Sequence, residues 1–160
     1  MHYSFKDELR ALFPSSSLED LEKILLLEKK QKSSAKLGDS LVNFIFSISK
    51  SLAIRKLTGT KVSDHILAEA YRSSVLGRYL HLKGKKDKIG DQMEALILFA
   101  WINGFISLEE IVKILRTQLE QANNLTHPNK EREIGILAFR QLLDSLAETM
   151  FGEEEKLGKH

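Results

Sequence analysis

The chain has 160 residues, 42% hydrophobic and 29% charged, with a formal net charge of +2 and a pI near 8.7. That length and balance fit one globular domain and exclude a disordered chain. The absence of cysteine excludes disulfides, thiolate nucleophiles and cysteine–zinc sites.

The predicted elements are all helical. Ser4 is placed to cap a short helix through Leu12, which Phe13-Pro14 ends. Ser17 and Asp20 resemble a capping box for a second helix that carries Leu18, Leu21, Ile24 and Leu25 on one face. The polar stretch Lys29–Ala35 reads as its exit. A third helix is expected over about Leu37–Leu57, with Leu41, Phe44, Ile45, Ile48, Leu52 and Ile54 forming a wide apolar stripe buried on more than one side. Thr58-Gly59-Thr60 breaks it. Ser63 then caps a helix bearing Ile66, Leu67, Ala70, Tyr71, Leu76, Tyr79 and Leu80, and a lysine-rich loop, Lys83–Lys88, follows.

Asp91–Ile102 is apolar nearly all round, as expected of a central helix, and Asn103-Gly104 supplies a left-handed stop. Ser107 and Glu110 form a capping box for a helix through about Gln121. Pro128 begins the last long helix, where Ile134, Leu137, Ala138, Leu142 and Leu146 recur at helical spacing. Gly152–His160 reads as a charged, frayed tail, leaving residues 1–151 as a single domain. No alternating strand pattern and no fixed repeat is visible, so the fold class is all-α, a bundle of about seven helices. The longest consecutive apolar runs, Ile24–Leu27 and Ala95–Ile102, are too short to span a bilayer. Met1–Arg10 has no apolar signal region, so a cytoplasmic location away from membranes is expected.

Asp91 and Glu94 stand three apart and share one helix face. An aspartate from a neighbouring helix could converge with them to hold a hard divalent cation such as Mg through oxygen. Two segments supply such a set. Leu37-Gly38-Asp39-Ser40 opens the third helix, and Asp91-Gln92-Met93-Glu94-Ala95-Leu96-Ile97 opens the central one, which leads to Asn103-Gly104-Phe105. In order and helical context the pair resembles ribonuclease III, over roughly Leu37–Leu115.

The resemblance implies a ribonuclease III endonuclease-domain fold and Mg-dependent hydrolysis of structured or double-stranded RNA. Asp39, Asp91 and Glu94 would be its catalytic and metal-binding residues, in one cleft within roughly 4–8 Å of each other. This chain departs from the family at two glutamate positions, occupied here by Ala35 and Lys32. The family's aromatic dimer residue is here Lys36, although a homodimer remains compatible. The double-stranded-RNA-binding domain common in the family is not expected here. Lys83, Lys85, Lys86 and Lys88 would contact RNA phosphates, since a nearly balanced net charge requires the basic residues to be gathered on one face.

Each residue also has a plain structural reading. Asp39 could cap its helix, Asp91 could be a first-turn acid favoured by the helix dipole, and Glu94 could pair with a lysine. His65 and Glu69 lack the second histidine of a zinc-protease motif. His2, His81, His127 and His160 are scattered, and Gly84 belongs to no Walker loop. Trp101 belongs to the core. Three functions follow in order: an endoribonuclease in RNA processing, a catalytically inactive relative serving as an RNA- or protein-binding scaffold, and a helix-turn-helix regulator around Asn103–Leu119.

Overall fold

The computed structural model describes residues 3–13, 15–122 and 127–158, with side chains described except at 28–31 and 153–158. Pro14, His2 and His160 lie outside the described residues. Among the described residues, seven α-helices and a 3₁₀ turn form the regular structure and no strand occurs. They are α1 (Phe5–Leu12), α2 (Leu18–Leu26), α3 (Glu28–Ile54), α4 (Asp64–Ser73), the 3₁₀ turn Val75–Arg78, α5 (Lys86–Ile102), α6 (Leu108–Glu120) and α7 (Pro128–Gly158). The chain is all-α, as its periodicity predicts.

The centre of the bundle is α5. Thirteen of its 17 residues are buried, so it has no solvent face and must be covered on every side. Its main partners are α3 and α4, while α6 packs against α3 and α7. Met93, Leu96, Ile97 and Phe99 of α5 join Ile45 and Phe46 of α3, Leu115 of α6 and Phe139 of α7 in one core. Trp101 belongs to a small satellite cluster with Leu98 and Ile102. It packs against Phe5 and lies beneath Lys6 Nζ, as a core tryptophan rather than a base-stacking platform.

Helix ends differ from the sequence reading in instructive places. α3 starts at Glu28, not Leu37. Residues 28–37 are polar but rich in good helix formers, and none of them is a glycine or proline, so polarity alone did not stop the helix. It ends at Ile54 because Arg55 adopts a left-handed conformation, φ 56°. α5 starts at Lys86 rather than Asp91, which puts Asp91 in the second turn and half the lysine-rich loop on the helix. α4 stops at Ser73, and Leu76 and Tyr79 belong to a separate turn closed by Tyr71, whose hydroxyl donates to the Leu80 carbonyl. Ser17 caps α2 through the Glu19 amide, while Asp20 accepts from Ser15 Oγ, so no capping box forms there. The Ser107–Glu110 box is present. Helix α7 runs to Gly158, through most of the charged stretch that reads as a tail.

The apolar stripe on α3 divides. Val42, Ile45 and Phe46 are buried, whereas Phe44 is 61% and Leu52 42% exposed. By length and hydropathy, residues 32–54 of this helix would suffice to cross a membrane. Here its inner face is spent on contacts with α5 and α6.

Candidate metal centre

Two glycines bring three helices to one point. At Gly38, an added Cβ would lie 2.3 Å from the carbonyl oxygen of Glu94, so α3 rests directly on the α5 backbone. At Gly90, an added Cβ would lie 2.6 Å from Asp64 Oδ1 and 3.0 Å from its Cα, so the start of α4 rests on α5 in the same way. Any side chain at either position would hold the helices apart. The residues that follow the glycines, Asp39 and Asp91, are thereby carried into contact range of Glu94 and Asp64.

The result is an open cleft of about 710 Å³ lined by Asp39, Asp64, Asp91 and Glu94. Ligand oxygens of Asp64, Asp91 and Glu94 all lie within 4.8 Å of one another. Asp39 sits beside them and hydrogen-bonds with Glu94. A short relay fixes it. Asn43, one turn on, donates to Asp39 Oδ1 at 3.2 Å and accepts from the Val62 amide at 2.8 Å. Ser63, the next residue, caps α4 by accepting from the Ile66 amide. One polar chain thus ties the acidic turn of α3 to the start of the helix that carries Asp64.

The electrostatics are those of crowded acids, whose burial and mutual repulsion outweigh the lysines nearby. Glu94 is only 4% exposed and its Oε2 has no hydrogen-bond partner. Burial above all, then the hydrogen bond and negative charge of Asp39, then Asp91 and Asp64, push its carboxyl up to about 9. Asp64 and Asp91 are raised by burial and by each other's surroundings, Asp87 and Asp39 included. Four clustered carboxyls with a buried, orphaned oxygen fit a hard cation bound through oxygen, such as magnesium.

The sequence reading brought Asp39, Asp91 and Glu94 together, and all three line this cleft. It missed Asp64, which follows the cap Ser63 and reads as an ordinary first-turn acid. It also missed Asn43. Spacing carries no trace of Asp64, which belongs to a different helix from both motifs, whereas Asn43 stands four residues after Asp39, a helical spacing that could have found it; the glycine before Asp91 is the local sign that something must approach closely. The plain alternatives for Asp39 and Asp91 fail on geometry: the N-cap positions of α3 and α5 are Leu27 and Lys85, and Asp91 stands in the second turn of α5.

The lysines are arranged differently from expectation. Lys83, Lys85, Lys86 and Lys88 are exposed and lie at the entry to α5, outside the cleft lining. Lys86 is near enough to Asp64 to ease its ionisation. Lys32, Lys36 and Lys61 line the cleft itself, and Ala35, 5% exposed, fills its α3 side with a methyl group. Glu69 pairs with Arg72 at 2.8 Å. The His81 backbone amide donates to Glu22, and the His127 carbonyl accepts from Glu131; neither imidazole lines the cleft.

No curated protein matches the chain. The family described as Ribonuclease III matches it over residues 32–151, a span that contains most of α3, α4 to α6, most of α7 and every carboxylate of the cleft. With that match over most of its length and an all-helical fold converging on those acids, the chain belongs to the ribonuclease III family.

Proposed function

We propose that this protein is a divalent-metal-dependent endoribonuclease that cleaves structured or double-stranded RNA. The observation that carries the proposal is the buried Glu94 Oε2, left without a partner among three further carboxyls. A protein that needed these groups only for stability would gain by pairing or removing them.

In this reading Asp64, Asp91 and Glu94 hold the ion, and Asp39, steered by Asn43, orients Glu94 and shares its site. When bound, a divalent cation supplies Lewis-acid stabilisation of a phosphodiester and acidifies water. The cleft's own lysines, Lys32, Lys36 and Lys61, offset phosphate charge at its rim. Lys83, Lys85, Lys86 and Lys88 extend that positive edge along the backbone of a duplex.

The test is hydrolysis of a double-stranded RNA in magnesium by the purified chain. Asp39→Asn, Asp64→Asn and Glu94→Gln should each lower the rate by about 100-fold or more. No cleavage by the wild type over long incubation would overturn the nuclease reading. It would leave the scaffold alternative, which the lysines inside the cleft favour. The helix-turn-helix alternative is disfavoured by α6, whose first turn presents Glu109 and Glu110 and whose inner face is buried.

A further inference from the structure

We propose that the cleft holds a single divalent cation, at Asp64, Asp91 and Glu94, and that Lys32 occupies with its ammonium the side where a second cation would have to sit. This rests on the metal-dependent reading above and refines it.

The argument starts from what each wall of the cleft offers. The three carboxylates with oxygens within 4.8 Å of one another can share one ion. The α3 wall is a row at helical spacing, Lys32, Ala35 and Asp39, so these residues face the cleft together. Only Asp39 in that row can give an oxygen, and it is already engaged by Asn43 and Glu94. Ala35 offers a methyl group.

A second hard ion would therefore lack the carboxylates that two-metal sites use to hold both ions about 3.5–4 Å apart. It would also face the ammonium of Lys32. Lys32 and Asp91 line the same cleft. A divalent ion beside the ammonium meets twice the repulsion of a unit charge at the same distance. Lys32 thus supplies positive charge to the crowded acids on one side while leaving the Asp64 side to the cation.

The experiment is a titration of the full chain, without RNA, with Mn²⁺, counting bound ions by electron paramagnetic resonance of the free ion. The wild type should bind one Mn²⁺ per chain. Lys32→Glu should bind two and show the exchange-coupled signal of a paired site, while Lys32→Gln should stay at one, since it adds no anionic ligand. Two ions on the wild type would overturn the proposal and leave the nuclease reading standing. One ion on both wild type and Lys32→Glu would overturn the role of Lys32. No ion on the wild type would overturn this inference and the metal-dependent reading with it. Lys32 is solvent-exposed, and a melting curve for each variant confirms that the count refers to folded protein.

Discussion

Glu94 is where burial and charge compete most directly. Its carboxyl keeps its proton up to about pH 9 in the folded chain, against an ordinary value of 4.5. Between those values the folded state binds more protons than the unfolded one. Stability without metal must then fall as pH rises through this window, because the slope follows the difference in bound protons. Asp64 and Asp91, also raised, add to the same slope. Magnesium must displace the Glu94 proton, so the stabilisation it confers should grow with pH. Melting temperatures in a chelator, measured from about pH 5 to pH 9, should decline for the wild type and be flatter for Glu94→Gln; a wild-type profile that rises would contradict the account. A second residue-scale prediction concerns Ala35, whose methyl faces the acids. Ala35→Glu should destabilise the metal-free protein by adding a like charge, yet tighten magnesium binding. At a hundredfold excess of magnesium over its dissociation constant, the ion should contribute about 2.7 kcal/mol by linkage. Identical metal responses of the two proteins would show that position 35 does not reach the ion.

At the scale of helices, the site depends on two crossings with no room for a side chain. Gly38→Ala would place a methyl against the Glu94 carbonyl, and neither partner is a flexible side-chain tip that could move aside. The helices must separate, at about 1–3 kcal/mol by analogy with overpacked cores. Asp39 moves with α3, so metal affinity should fall alongside stability. Gly59→Ala is the control, since nothing lies within 4 Å of its added Cβ. Chemical denaturation and a magnesium titration of the three proteins check both effects; equal stability of Gly38→Ala and wild type would refute the close crossing. Asn43→Ala should separate the two readouts. It removes the bonds to Asp39 and Val62 while leaving the helix crossings intact. Its metal affinity should therefore drop by more than its stability implies.

Across the whole molecule, one surface is out of keeping with the rest. Leu37, Phe44, Leu52 and Leu57 are 45%, 61%, 42% and 93% exposed along α3 and the loop after it. Lys50, the only charged side chain between Asp39 and Arg55, bonds to Glu131 at 2.9 Å rather than reaching solvent. A neutral, apolar helix face on an otherwise ionic surface suits association of two copies. Sedimentation should show a concentration-dependent dimer that Phe44→Glu converts to monomer with little change in melting temperature. A wild type that stays monomeric at high concentration would remove this expectation.

Local order explains why so much of the fold was readable from residues in a row. Helix periodicity, the caps at Ser4, Ser63 and Ser107 and the stop at Asn103-Gly104 all act within a few residues of themselves. The continuous apolarity of Asp91–Ile102 identified the central helix for the same reason: burial on all sides leaves no polar face. Two paired motifs were enough to bring Asp39, Asp91 and Glu94 to one cleft. Helix ends were less legible where good helix formers continued past a polar stretch, as before Gly38 and at Lys86. Asp64 and Lys61 could not be read this way, because their significance lies in distances across helices; Asn43 and Lys32 share helical spacing with Asp39, but that the row faces an acidic cleft is decided by packing. Whether Lys32 or Lys86 faces the acids, and which half of the α3 stripe is left to solvent, depends on how helices cross at Gly38 and Gly90. Those crossings are set by non-local packing, to which a run of neighbouring residues is blind.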